Sequence, residues 1–440
     1  MGGEWKLQKI GDLGKVITGK TPSTRRPEYF GGEYPFITIP DLDGRRDIST
    51  SARTLSQLGS DTMASCRLPA GAVITSCIAT IGKSGITTRP SFTNQQINSV
   101  ICGRDVDPKF LYYSFAQLGP ALDAAGGGGS VYTNVSKSRF SAIEVLIPPL
   151  KEQQAIACIL GALDDKIEMN RRMNRTLEGM ARAIFKSWFV DFDPVYGNMK
   201  RRDDKGNKRK GARAQGRKED LGVFAASRLG GFALKPDLAA LFPDAFEDSE
   251  LGEIPKGWRV GRVADVADVF SGKRPDVRYS EATEDARIPL WGGNGPMAFV
   301  PEPLIDYPIL LTGRVGTLGS VFRITSPCWP SDNTLILRAK HEQAYEYLFL
   351  QLCRIDFSSL NRGSTQPLLT QTDLKAQLLP LPPSGLLERF HLIVDSLFLR
   401  FDSADIESHT LAALRDALLP KLISGEIRVK DAERVVGRAV

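Results

Sequence analysis

The sequence predicts an α+β chain of two similar β-rich domains, each followed by a long helix, with the two helices packed as an antiparallel coiled coil. Three observations predict it. Blocks from the first 150 residues return in order between 251 and 384. Each copy consists of short β-rich runs punctuated by Gly, Pro and Ser. Each copy closes on a Pro-Pro pair, after which an apolar heptad stripe begins.

The duplication is read first. Trp5, Ile10, Asp12, Val16, Gly19 and Lys20 recur as Trp258, Val263, Asp265, Val269, Gly272 and Lys273 at one offset (258 − 5 = 253), and Pro22 and Pro275 keep it. Val73-Ile74 and Thr80-Ile81-Gly82 recur as Leu310-Leu311 and Thr317-Leu318-Gly319 (310 − 73 = 237). Gly129-Ser130 and Ile147-Pro148-Pro149 recur as Gly363-Ser364 and Leu381-Pro382-Pro383 (363 − 129 = 234). A falling offset is expected where loops change length and the core does not.

Within a copy, Pro35–Ile39, Ala72–Thr75 and Ile143–Ile147 read as strands. After Pro149 a stripe runs Ile156, Leu160, Leu163, Ile167, Asn170, Asn174, Leu177, Ala181, Ile184, Trp188. After Pro383 a second runs Phe390, Val394, Leu397, Phe401, Ala404, Ser408, Leu411, Leu414, Leu418. Steps of four and three define a coiled-coil seam, and each stripe spans about ten turns, roughly 55 Å. Asn170 and Asn174 on the seam would fix register at some cost in stability. Two ordinary amphipathic helices, each packed on its own domain, are the alternative. Recurrence of the same helix after the same Pro-Pro pair disfavours it. The expected layout is a first domain over 1–150, a helix over 151–190, a linker with a basic insertion over 191–250, a second domain over 251–384, a helix over 385–425 and a tail over 426–440.

Composition narrows the function. The apolar fraction of 42% suits packed cores and is too low for a membrane protein. No run approaches the roughly 20 apolar residues of a spanning helix, and the first residues lack a secretory pattern. The six cysteines contain no Cys-x-x-Cys pair, so reduced thiols and a cytoplasmic location are expected. Three histidines argue against a zinc cluster. Residues 200–220 carry ten Lys/Arg and four Asp/Glu (10 − 4 = +6), the whole net charge of the chain. With few apolar residues, 197–220 is expected to be disordered or an exposed loop, and its charge suits a place near phosphates.

Gly14-Lys-Val-Ile-Thr-Gly19-Lys20-Thr21 matches the P-loop pattern, but Pro22 and Pro27 prevent the helix that would cradle phosphate. The second copy has Ala267 at the first glycine, so what repeats is Gly-Lys-x-Pro, a basic loop. No Asn/Asp-Pro-Pro-Tyr and no strand-led Gly-x-Gly-x-x-Gly is present. Asp164-Asp165-Lys166 and Asp203-Asp204-Lys205 lack a supporting strand and read as solvated charge. No catalytic residue, metal ligand or cofactor site is expected.

What remains suits base reading, where Gln and Asn pair with adenine edges and Arg or Lys with guanine. The first copy offers Lys20, Thr21, Arg25, Arg26, Lys83, Asn94, Gln95, Ser130, Tyr132 and Lys137 in loops. The second offers Lys273, Arg274, Arg278, Asn294, Arg314, Asn333, Arg362 and Gln366. Any one of these is also an ordinary exposed turn residue; the set carries the reading.

The whole pattern resembles the specificity subunit of type I restriction–modification systems. The residues that carry it are Glu253-Ile-Pro-Lys-Gly-Trp258, Gly71–Ile74 with Thr80–Lys83, Ile147-Pro148-Pro149-Leu150-Lys-Glu152-Gln153-Gln154, Phe185-Lys-Ser-Trp188-Phe-Val-Asp191-Phe-Asp193-Pro194 and Leu418–Ile427. The resemblance implies two target-recognition domains, each reading half of a split double-stranded DNA target, with the paired helices setting the spacer. It implies two adenine methyltransferase subunits carrying S-adenosylmethionine, and two motor-nuclease restriction subunits using ATP and Mg. This chain would bind none of these cofactors and would not be catalytic. A standalone nuclease or methyltransferase, and a repeat-built protein adaptor with no DNA role, are the alternatives. Activity of the single chain would mark the first, and absence of any DNA sequence preference the second.

Overall fold

The computed structural model describes residues 5–78, 80–125, 134–209, 235–316, 318–363 and 367–437, with backbone alone over 204–209. The chain divides into two compact units, Met1–Asn174 with Ser403–Val440, and Arg175–Asp402.

In the first unit, Gly14–Thr18, Ile97–Cys102, Val73–Ser76 and Ser84–Thr87 form an antiparallel sheet in that order, extended by a parallel edge strand, Asp47–Ile48. β-Branched residues dominate Val73-Ile74-Thr75 and Ile97–Ile101, as a sheet buried on its faces requires. A second sheet orders Arg53–Leu55, Phe30–Ile37 and Phe92–Thr93, its last pair parallel. Lys6–Lys9 pairs antiparallel with Glu144–Ile147 and closes the domain on itself.

In the second unit the frame returns. Ala267–Ser271, Thr334–Ala339, Ile309–Gly313 and Val321–Ile324 form the main sheet in the same order. Gly295–Val300, Ile288–Gly292 and Trp329–Pro330 form the second sheet, again with one parallel pair. Arg259–Arg262 pairs with Leu378–Leu381 as the closing strands. The three sequence offsets reappear at element level. Strands starting at 14 and 267 differ by 253, those at 97 and 334 by 237, and those at 144 and 378 by 234. The copies diverge between the second and main sheets. From Ile37 to Val73 is 73 − 37 = 36 positions, and from Gly292 to Ile309 is 309 − 292 = 17.

Two long helices follow the domains: the central helix Leu150–Phe189 and the distal helix Ser384–Ile423, each 40 residues. They pack antiparallel. In the first unit Asn170 donates to the carbonyl of Ala404 (3.3 Å) and to Glu407 (2.7 Å), and Arg415 pairs with Asp164 at 2.7 Å. In the second unit Phe390 packs against Phe189 (ring centroids 4.8 Å) and Phe185 (6.1 Å). Later residues of one helix thus meet earlier residues of the other. Leu160, Leu163, Ile167, Asn170, Asn174 and Leu177 are buried along the central helix. Val394, Leu411 and Leu418 are buried along the distal helix, with Leu397 and Phe401 half-buried.

Three expectations change. The stretch expected as a loop over 197–220 begins as a helix, Asp193–Arg209, and 210–220 lie outside the described residues. That helix is held locally: Asn198 donates to the carbonyls of Ala239 and Phe242, both at 2.8 Å. Past residue 425, where a tail is expected, Val429–Val436 is a helix whose Ala432 and Val436 join the first unit's core. Asp164-Asp165-Lys166 is paired rather than free charge, although Asp165 keeps 62% of its side chain exposed. Asp164 accepts from Tyr113 Oη (2.5 Å) and Arg415, Asp165 from Arg46, and Lys166 pairs with Glu407. The partners lie 51 to 251 residues away in sequence, so no local pattern announces them.

No helix among the described residues is long and apolar enough to cross a membrane. Among them, no group of three or more His, Cys, Asp or Glu is placed to hold a metal ion.

Candidate nucleic-acid interface

The register of each main sheet determines where its loops emerge. In the first unit Thr18 opposes Asn98, Ser76 opposes Ile97 and Thr75 opposes Ser84. Two strands therefore end and two begin at one sheet edge, and Lys20, Thr21, Lys83, Asn94 and Gln95 all lie on the loops there. Thr21 Oγ1 donates to Gln95 Oε1 at 2.6 Å, joining two of those loops. Beneath them Thr18 Oγ1 donates to Asn98 Oδ1 (2.6 Å), and Asn98 Nδ2 donates to Cys77 Sγ (3.2 Å). Burial pushes the Cys77 thiol up, so it stays protonated there.

The second unit repeats the edge with different side chains. Ser271 opposes Leu335, Gly313 opposes Thr334 and Thr312 opposes Val321. Lys273, Arg274, Arg314 and Asn333 leave the sheet there, and Arg314 N donates to the carbonyl of Asn333 at 2.8 Å. Asn294 sits in the Gly292–Gly295 turn, beside this edge because Ser331 N donates to the carbonyl of Trp291 (2.9 Å).

The repeated Gly-Lys-x-Pro is explained by close backbone approach. A Cβ on Gly19 would stand 2.2 Å from the carbonyl oxygens of Thr93 and Asn94; on Gly272 it would stand 2.2 Å from that of Ser331. The following amides bind equivalently: Lys20 N to Thr93 O and Lys273 N to Pro330 O, both 3.0 Å. Only glycine fits under this crossing. Gly14 is likewise a strand residue whose Cβ would meet Ile101 O at 2.1 Å, and no helix follows Thr21, so no phosphate cradle forms.

Not every candidate side chain is free at the edge. Asn94 is buried, and its side chain binds Gln96 through both amide atoms. Arg362 is engaged by Asp373 at 2.7 Å, and its guanidinium holds the Asp373 carboxyl below the usual carboxylate range. Arg26 lies over the Tyr29 ring, 5.7 Å to its centroid. Arg25, Lys137 and Arg278 are exposed on loops or at a helix start. Ser130, Tyr132 and Gln366 lie outside the described residues.

Sequence reasoning missed a set of buried polar atoms. In the second unit Thr312 Oγ1, Ser331 Oγ, Arg314 Nε and Trp291 Nε1 have no hydrogen-bond partner, and in the first neither does Thr93 Oγ1. Orphaned polar groups of this kind ask for an explanation. They sit in or beside β-rich runs such as Ile309-Leu-Leu-Thr312, where nothing in the sequence separates an orphaned hydroxyl from a satisfied one.

The two units are copies of one sheet frame, with loops gathered at the same edge that carry Lys, Thr, Asn and Gln in the first and Lys, Arg and Asn in the second, which defines a protein with a duplicated loop-bearing domain. The chain belongs to the family of the type I restriction modification DNA specificity domain, whose model matches residues 2–179 and 255–414. It is 29% identical over 458 aligned positions to the type I restriction enzyme MjaIX specificity subunit of Methanocaldococcus jannaschii, covering 97% of this chain and 94% of that one. It is 34% identical over 174 residues, 38% of each chain, to the HindI specificity subunit of Haemophilus influenzae. Its fold is similar to the crystal structure of the type I restriction–modification S subunit from M. genitalium, with a TM-score of 0.56 and 16% identity over 95% of this chain and 96% of that one.

Proposed function

We propose that this chain is the non-catalytic DNA-reading subunit of a type I restriction–modification complex, with each β-rich domain reading one half of a bipartite double-stranded target. The observation that carries this is the duplicated sheet edge: one frame presents Lys20, Thr21 and Gln95 in the first copy and Lys273, Arg274 and Arg314 in the second. Phosphate contacts from the lysines would position the domains, and amide and guanidinium contacts would discriminate bases. Unlike side chains on like frames suit two unlike half-sites.

The long helices supply the other role. In the first unit Met169, Met173 and Ile406 are exposed; in the second, Met180, Leu392 and Leu399 are. Exposed apolar side chains spaced by four or seven residues along helices suit docking of a partner, and methionine adapts to one. These faces are read as seats for two adenine methyltransferase subunits, which carry the S-adenosylmethionine. Two restriction subunits, with their ATP and Mg, complete the nuclease form. No cofactor is assigned to this chain.

Methylation mapping of a host carrying this chain with its methyltransferase tests the reading. One split adenine-methylated motif is expected. Exchanging residues 1–150 for those of another specificity subunit should alter one half only, and adding a whole helical turn within 165–180 should lengthen the spacer. A contiguous motif, or a helix insertion that changes the bases read, would overturn it.

A further inference from the structure

Each recognition domain is tied to its following helix by a buried guanidinium that meets a partly exposed carboxylate, and the two pairs come from different places in the fold. In the first unit Arg46, beside the edge strand Asp47–Ile48, donates from Nη2 to Asp165 on the central helix (2.7 Å) and to Asp47 (2.6 Å). Only 5% of its side chain is exposed, and its Nη1 lies 3.3 Å from where a Cβ on Gly161 would stand. Gly161 and Asp165 are one turn apart on the same helix face. A larger residue than glycine would press on the guanidinium. In the second unit Arg323, on strand Val321–Ile324, donates to both oxygens of Asp402 on the distal helix, each at 2.5 Å. Its guanidinium lies 4.5 Å over the ring of Phe398, one turn earlier, and 8% of its side chain is exposed.

Packing of a domain on a helix by apolar surface is non-directional. An ion pair with one desolvated partner adds little net stability, because desolvation and solvent screening offset attraction, yet its hydrogen bonds demand one geometry. Such pairs therefore act on orientation more than on folding. Turning a domain on its helix moves its DNA-reading edge along the duplex.

We propose that Arg46–Asp165 and Arg323–Asp402 are positioning pairs that determine how strictly the complex reads the spacer between its half-sites. This rests on the bipartite reading above. Sequence-similar copies then share a recognition frame while each carries its own fastener, so the angle of one domain is adjustable without touching the other.

The test uses the chain in complex with its methyltransferase subunits, on a library in which both half-sites are fixed and the spacer length varies. Arg46→Met and Arg323→Met keep the apolar stem and remove the pair. Asp47 and Asp165 have side chains 46% and 62% exposed, so loss of Arg46 strands no buried charge. The expected result is that preference for the native spacer over spacers one base pair longer or shorter falls roughly two- to thirty-fold, with the half-site bases unchanged. Arg434→Met, which removes an exposed pair with Asp431 within one short helix, should leave that preference as in the native chain. Should Arg46→Met fail to assemble, Asp165→Asn gives the same readout, since Arg46 keeps Asp47. An assembled variant that loses melting temperature or total methylation but keeps its spacer preference overturns the proposal. Indifference to spacer in the native complex would instead break the bipartite reading.

Discussion

Where the start of one long helix packs against the end of the other, the first unit uses Ile156, Leu419 and Leu422, and the second, at positions 234 residues distant, uses Phe390, Phe185 and Trp188. The same joint is aliphatic in one unit and aromatic in the other. The ring set extends through Phe189 to Tyr347 (4.9 Å) and Trp258 (5.9 Å). The residues just past the helices differ in the same sense. Gly425 takes φ 75° under the ring of Trp5, whereas in the second unit Phe192 takes φ 53°, a costly conformation for a bulky residue. Its ring packs between Trp258 (5.6 Å) and Phe246 (5.8 Å), which offsets that strain. Trp5 Nε1 donates to Glu152 at 3.2 Å, but the equivalent position to Glu152 is Leu386, and Trp258 Nε1 has no partner. Duplication has thus preserved backbone geometry while side-chain solutions drifted apart, because packing constrains total volume and shape more tightly than identity.

The comparison is sharpest at Phe390. Phe390→Ala removes a ring that touches Phe185, Trp188 and Phe189, and should cost about 3–5 kcal/mol in denaturant unfolding. Ile156→Ala, its counterpart, should cost less, since no ring loses its neighbour; equal losses would mean that the aromatic joint adds nothing over the aliphatic one. A smaller effect tests likeness rather than difference. Gly19→Ala and Gly272→Ala each push a methyl into a carbonyl, and each should cost about 1–3 kcal/mol, in matching amounts by thermal unfolding. Unequal costs would show that the two crossings are not equivalent.

The smallest effect leaves stability untouched. Burial pushes the Cys102 thiol up to about 12, with Asp107 adding to it, and burial pushes Cys328 up to about 11. A raised pKa keeps these thiols protonated and unreactive at neutral pH, while Cys158 is exposed on the central helix. Alkylation near neutral pH, read by peptide mass spectrometry, should label Cys158 first. Cys158 lies on the same helix as Met169 and Met173, so protection of Cys158 on adding the methyltransferase would place that partner on this face, and unchanged labelling would argue for a seat elsewhere.

Much of this was legible before the fold was known, and unevenly so. The duplication, the closing Pro-Pro pairs and both heptad stripes are periodic or repeated signals, and they mapped onto matching strands and two 40-residue helices. Candidate edge residues were legible only as a class. That Asn94 is consumed by Gln96 and Arg362 by Asp373 depends on turn geometry. Polar Asp193–Arg209 carried no helix signal, since its anchor is Asn198 reaching carbonyls more than forty residues on.

By itself the sequence determined that this is a twice-used β-rich frame followed twice by a long apolar-striped helix, because periodicity and repetition are written along the chain and survive without coordinates. Only the tertiary structure decided which charges are anchors. Arg46, Asp165, Arg323 and Asp402 look like any solvated charges in sequence. They are fasteners because folding brings Arg46 to Asp165 across 119 residues and Arg323 to Asp402 across 79, and removes water from the guanidinium side of each pair.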